Sequence, residues 1–148
     1  MITVSFPGRF SSLELIRNFF TGAAGQAGLD KKSIEDVQLA VDEAASNIIN
    51  HAYGGEDQGE IECSYSINPE GMKIIIRDFG KPFDPNLVKQ PDLVSDVCYR
   101  ESGGLGLHFM KSLMDSVEFS FNGHGDNLLS MTKLIQKDAT QNQLTKEG

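Results

Sequence analysis

Hydrophobic spacing sets out most of the elements of this chain. Ile2, Val4 and Phe6 alternate with polar residues and predict an opening strand, which Pro7-Gly8 stops. Ser11-x-x-Glu14 has the form of a capping box. Leu13, Ile16, Phe19, Phe20, Ala23, Ala24 and Ala27 continue from it at helical steps, and Gly28 is the expected stop. Asp30 is placed to cap a second helix, in which Ile34, Val37, Val41, Ala44, Ile48 and Ala52 recur at steps of three and four before Gly54-Gly55 ends it. Ile61, Cys63, Tyr65 and Ile67 then alternate with Glu62, Ser64 and Ser66, the pattern of a strand with one wet face. Asn68-Pro69-Glu70-Gly71 is a turn, and residues 72–77 return with Ile74, Ile75 and Ile76 in a row, which predicts a more buried, central strand.

Periodicity is lost over residues 79–102, where Gly80, Pro82, Pro85 and Pro91 interrupt the chain. A loop of this length inside a compact domain is expected to be functional, here as a lid with a short helix near residues 93–99. Gly103-Gly104-Leu105-Gly106 leads into a helix marked by Leu107, Met110, Leu113 and Met114. Val117, Phe119 and Phe121 alternate as a strand, and Leu129 and Met131 lie on a last one after a turn over residues 122–127. Strands cluster instead of alternating one by one with helices. That order predicts an α+β fold, a two-layer α/β sandwich with helices on one face of a mixed, mainly antiparallel sheet. Residues 1–135 are expected to form one domain, and the polar residues 136–148 a disordered tail.

Composition narrows the function classes. The 148 residues carry a net charge of −8, which speaks against direct nucleic-acid binding and against an anionic membrane surface, and suits a basic protein partner. No apolar run approaches the roughly 18 residues of a membrane span. The N-terminus lacks the charged-then-apolar pattern of a signal peptide, so a cytoplasmic location is expected. Cys63 and Cys98 form no Cys-x-x-Cys and are expected to be reduced thiols, and His51, His108 and His124 show no zinc-site spacing.

Three stretches carry candidate chemistry. On the second helix Glu43, Asn47 and Asn50 follow one another roughly a turn apart on a face away from the apolar stripe. On these residues alone the row fits first a solvated helix face. It also fits a site in which a carboxamide oxygen ligates Mg²⁺ while phosphates fill the other positions, and a carboxylate accepts the proton of an attacking hydroxyl. Asp78 closes an apolar strand, where it can cap the next turn or accept a hydrogen bond from the exocyclic amine of adenine, with Gly80 allowing close backbone approach beneath the base. Gly103-Gly104-Leu105-Gly106 before a helix can be a hinge or can turn backbone N–H groups toward phosphates, although it is neither a Walker A loop nor a Rossmann fingerprint.

Together, in this order, the stretches resemble the Bergerat-fold ATPases, the superfamily of gyrase, histidine kinases and MutL. Glu43-x-x-x-Asn47 resembles the N box, Asp78-Phe79-Gly80 the first glycine box and Gly103-Gly104-Leu105-Gly106-Leu107 the second. Within the superfamily the chain is most similar to the bacterial anti-sigma factor serine/threonine kinases. That similarity rests on Leu39-Ala40-Val41-Asp42-Glu43-Ala44 through Asn47 and Asn50-His51-Ala52-Tyr53, on Asp78-Phe79-Gly80-Lys81-Pro82-Phe83-Asp84-Pro85, on the second glycine box with Leu113-Met114-Asp115, and on Met131-Thr132-Lys133. It spans about residues 6–134.

The resemblance implies ATP with Mg²⁺ bound between the N-box helix and the lid, Glu43 as general base, Asn47 as Mg²⁺ ligand and Asp78 as the adenine-reading carboxylate. Asn50, Gly80, Phe83, Gly103, Gly104, Leu105 and Gly106 are the further nucleotide-binding positions it implies. The implied reaction is phosphorylation of a serine or threonine on an anti-sigma factor antagonist. The implied partners are that antagonist and a sigma factor, and a homodimer stays open. The alternative is a regulatory ATP-binding module of the same fold without kinase activity. Three departures stand out: Pro82 replaces the second glycine of the first box, Arg100 is separated from the second box by Glu101-Ser102, and Asp126-Asn127 stand where relatives often carry Gly-Thr. A histidine kinase is set aside because no upstream helical segment carries a phosphoacceptor histidine, and a gyrase-like machine because no transducer domain follows.

Overall fold

A computed structural model describes residues 1–82, 104–121 and 125–136. The chain opens with strand β1 (Ile2–Pro7), a 3-10 turn (Phe10–Ser12) and helices α1 (Leu13–Gln26) and α2 (Lys31–Asn47). A π-helical segment (Ile48–Ala52) extends α2, followed by the hairpin β2 (Glu60–Asn68) and β3 (Gly71–Asp78). Helix α3 (Gly104–Leu113), β4 (Ser116–Phe121) and β5 (Asn127–Leu134) complete it. The five strands lie in the order β1-β2-β3-β5-β4, and every neighbouring pair is antiparallel. This is the expected α+β sandwich, with a purely antiparallel sheet among the described residues where a mixed one was anticipated. Of the expected lid over residues 79–102, residues 83–102, with Phe83, Arg100 and the expected short helix, lie outside the described residues, as do Gly103 and the expected tail from residue 137.

Local rules account for most boundaries. The Asp30 side chain accepts from the Ser33 backbone N–H at 2.8 Å, so the expected cap of α2 forms. Gly28, at φ 85°, ends α1 with two bonds, Leu29 N–H to Ala24 O at 3.2 Å and Gly28 N–H to Gly25 O at 3.1 Å, the paired pattern of a Schellman stop. The capping box at Ser11 does not form. The 3-10 turn supplies backbone acceptors for the first N–H groups, and Ser12, the residue flanking α1, has helical dihedrals (φ −81°, ψ −15°) and makes no side-chain cap bond.

The core lies between the helices and one face of the sheet. Central β3 carries Met72, Ile74 and Ile76 into it. Ile76 sits opposite Cys63 and Leu129, and Ile74 opposite Tyr65 and Met131, so apolar rows cross three strands. From above, α2 supplies Val37, Ala40, Val41 and Ala44, and it packs most closely against α1 and α3. Each fully buried isoleucine stabilises by about 1.5–3 kcal/mol. Burial pushes the Cys63 thiol up to about 12, so it behaves as a packed, unreactive group.

One ion pair is built into this core. Lys133 faces inward from β5 opposite Met72, and its Nζ donates to Asp36 Oδ2 at 3.1 Å and to the Leu113 carbonyl at the end of α3. Both charged residues are buried, and Lys32 also bonds Asp36. Burial pushes the Asp36 carboxyl up, but the bonds from Lys32 and Lys133 outweigh it and hold the group below its ordinary value. The resulting stabilisation is complete above the unfolded carboxylate value, about 3.9, and is lost as the pH falls through the folded one. Lys133→Met is expected to lower stability by about 1–3 kcal/mol, read as a lower urea midpoint at unchanged slope, because it leaves Asp36 with Lys32 alone and the α3 carbonyl without its donor.

Candidate functional site

The cleft is assembled where α2 stops being an ordinary helix. Over Ile48–Ala52 the backbone widens, and the Tyr53 N–H donates to Ile48 O, five residues back, at 2.9 Å. The extra residue in that turn breaks the row read from the sequence. Glu43 and Asn47 stay aligned; both Asn50 and His51 are exposed, and among the described residues His51, not Asn50, lines the cavity wall. Ala52 turns its carbonyl toward the end of β3, where it accepts from the Lys81 N–H at 2.7 Å.

The cavity has a volume of about 280 Å³. Asn47, Ile48 and His51 form one wall, buried Asp78 and exposed Lys81 the end at β3, Leu107 and Met110 of α3 a second wall, and Phe119, Phe121 and Asn127 the sheet side. Its lining is mainly apolar with a few convergent polar groups, the make-up expected of a small-molecule site.

Glu43 and Asn47 meet the start of α3. A Cβ at Gly106 would lie 2.1 Å from Glu43 Oε1 and 3.0 Å from Asn47 Nδ2, so glycine is what allows this turn to rest on the pair. The turn also brings the start of α3 to that end of the cleft, and the first backbone N–H groups of a helix have no partner within the helix. Glu43 is half-buried. Burial raises its carboxyl above the ordinary value, against the lowering effects of the His51 charge and of a hydrogen bond from Asn47. Because the Asn47 amide nitrogen is the donor there, its carbonyl oxygen is left as a hard ligand.

Asp78 holds the far end and is buried. Its Oδ1 accepts from the Gly80 N–H at 3.0 Å and from Asn127 Nδ2 at 2.8 Å. Burial pushes this carboxyl up, and the two bonds oppose the rise. A Cβ at Gly80 would lie 2.4 Å from the Ala52 carbonyl oxygen, so its close approach is to the π-helical turn. Tyr53 braces the same corner, donating to Glu60 O and accepting from the Phe79 N–H at 3.0 Å.

Asn47 and Asp78 thus line one cleft, with Glu43 and Gly106 packed beside Asn47 and Gly80 bonded to Asp78. Gly104 and Leu105 open α3, and Phe83 and Gly103 lie outside the described residues. His51 and Asn127 were not among the residues singled out from the sequence. The sole hint of Asn127 was the Asp126-Asn127 pair in place of Gly-Thr; its contact with Asp78 follows from the register Asp78↔Asn127, which the sequence does not display.

Comparison with known proteins identifies the family. Residues 6–133 match the model of the histidine kinase-like ATPase domain. A serine-protein kinase RsbW from Listeria monocytogenes serotype 4a is 34% identical over 140 residues, covering 92% of this chain and 88% of the relative. One from Bacillus cereus is 32% identical over 145 residues, covering 95% and 89%. Among solved structures, the RsbU and RsbW domains of Rv1364c from Mycobacterium tuberculosis superpose with a TM-score of 0.62 at 15% identity, over 93% of this chain and 34% of that one. The SiaB–SiaC complex from Pseudomonas aeruginosa gives 0.53 at 13%, over 91% and 90%. The chain therefore belongs to the histidine kinase-like ATPase domain family and, within it, to the RsbW-type serine-protein kinases.

Proposed function

We propose that the cleft binds ATP with Mg²⁺ and that the chain phosphorylates a serine or threonine of an anti-sigma factor antagonist in the cytoplasm, holding a sigma factor while the antagonist is absent or already phosphorylated. The observation that carries the nucleotide reading is the seating of Gly106 on Glu43 and Asn47. A cradle that a single Cβ would fill, beside a carboxylate and a free carbonyl oxygen, fits a metal-bound phosphate chain.

Each residue then has a task. Glu43 takes the proton of the attacking hydroxyl, and its raised carboxyl value brings it nearer the working pH than an ordinary glutamate. The N–H groups at the start of α3 hold phosphate oxygens, and Asn47 offers its carbonyl oxygen to the metal. Asp78 accepts from the exocyclic amine of adenine at the β3 end, some way along the cleft from the phosphates. The bound Mg²⁺–nucleotide supplies an activated phosphoryl group whose charge the metal offsets, so positioning and electrostatics account for most of the acceleration.

Calorimetry tests the nucleotide reading. ATP is expected to bind more tightly with Mg²⁺ than without, GTP to bind far more weakly, and Asn47→Ala to remove the magnesium dependence. Equal affinities for ATP and GTP, or a magnesium effect that survives Asn47→Ala, would refute it. Labelled γ-phosphate appearing on a serine or threonine of the antagonist then tests the reaction.

A further inference from the structure

We propose that Asn127 is a positioning residue for base recognition: by fixing Asp78 it sets the preference for a 6-amino over a 6-oxo purine. The proposal rests on the adenine-reading role given to Asp78 above and adds a residue at a position where this chain departs from the Gly-Thr that relatives often carry.

Asp78 ends β3 and Asn127 begins β5, and the two are direct partners in the antiparallel register. Asn127 is 8% exposed and lines the same cleft as Asp78. Its amide nitrogen has two protons, and both are used. One goes to Asp78 Oδ1 at 2.8 Å and the other to the Gly80 carbonyl at 3.1 Å. The side chain therefore ties together the two ends of the Asp78-Phe79-Gly80 turn. Its orientation follows from its neighbours, since flipping the amide would set its oxygen against two acceptors.

These bonds have a chemical consequence. The bonds from Asn127 and from the Gly80 N–H both fall on Oδ1, and neither reaches Oδ2. The carboxylate plane is pinned through one oxygen, so the direction of the other is set before any ligand arrives. The turn is also held from behind, where the Lys81 N–H donates to Ala52 O and there is no room for a Cβ at Gly80. Donation to a buried carboxylate favours its ionised form, which can only accept. An ionised Asp78 matches the amine of adenine and repels the 6-oxygen of hypoxanthine or guanine. A neutral Asp78 could donate to that oxygen, and a rotated one would miss the amine; either loses the distinction.

ATP and inosine triphosphate share ribose and phosphates and differ at the 6-position of the purine, so their affinity ratio isolates this effect. With Asn127→Leu, ATP affinity is expected to fall by about 10- to 100-fold, the loss of a hydrogen bond to a charged group, while inosine triphosphate affinity changes by less than about threefold. Asn127→Ser keeps one donor and is expected to give an intermediate ratio; it decides the matter if the leucine variant does not fold. A wild-type ratio retained in the folded variants overturns the proposal, as does an equal loss of both nucleotides, which is what a merely structural role would produce. A wild-type protein that fails to prefer ATP over inosine triphosphate overturns the reading of Asp78, and this proposal with it.

Discussion

Glu43→Gln is expected to slow phosphoryl transfer by about 10²- to 10⁴-fold, the usual contribution of a general base. The substitution is nearly isosteric and retains a side-chain oxygen able to accept from Asn47, so ATP affinity should stay within a few-fold of wild type. In the wild-type protein the acid limb of the rate profile reports protonation of Glu43. Burial raises its carboxyl, so that limb should fall at a higher pH than for an ordinary glutamate. The positive charge of His51 works against the rise, so His51→Ala is expected to move the limb higher still. Single-turnover transfer to the antagonist, followed across pH, checks both effects. Transfer by Glu43→Gln at the wild-type rate would mean that another group accepts the proton.

Gly106→Ala is expected to cost about 10²-fold in transfer rate with little loss of stability. The reason lies in what the new methyl group meets. Its position is 2.1 Å from Glu43 Oε1, the free end of a flexible side chain, and 3.0 Å from Asn47 Nδ2. The fold can relieve the contact by swinging the carboxylate aside, at small energetic expense. The chemistry cannot, because a displacement of about 1 Å at a reacting group is enough for a hundredfold loss. Gly80→Ala offers the contrast. There the methyl group would meet the backbone carbonyl of Ala52 at 2.4 Å, and relief requires the π-helical turn itself to shift. Thermal unfolding and single-turnover rates measured together separate the cases: Gly106→Ala should melt near wild type, whereas Gly80→Ala should melt lower. A Gly106→Ala protein with full activity would show that Glu43 does not have to occupy its observed position.

Several parts of the fold were legible because they depend on neighbours close in the chain. The 3.6-residue period of Val37, Val41 and Ala44 determines which side of α2 is buried, and an isoleucine run is enough to mark β3 as the central strand. Asp30 and Gly28 act within a few residues of themselves, so their capping roles could be read directly. Ser11 looked equivalent, yet its box does not form, because a 3-10 turn fixes the backbone before α1 begins. The two-fold alternation on β2 was also only partly informative. Ile67 on the apolar set is 40% exposed, and Ser64 on the polar set is buried beside Thr3, since burial depends on what covers each end of a strand.

The sequence by itself determined most of the elements, the core faces and the candidate groups of the cleft, Glu43, Asn47, Asp78 and Gly106, because each is marked by residue type and short spacing. Tertiary structure decided how they face one another. The π-helical widening replaced Asn50 by His51 in the wall, since one added residue in a turn rotates every later side chain. Pairing between β3 and β5 set Asn127 on Asp78, and the packing of α2 and α3 against β5 set Lys133 on Asp36, across 49 and 97 residues of chain. Such contacts have no local signature. They exist only once antiparallel register and helix packing have brought distant backbones together, and the buried polar groups are stable there because they meet one another.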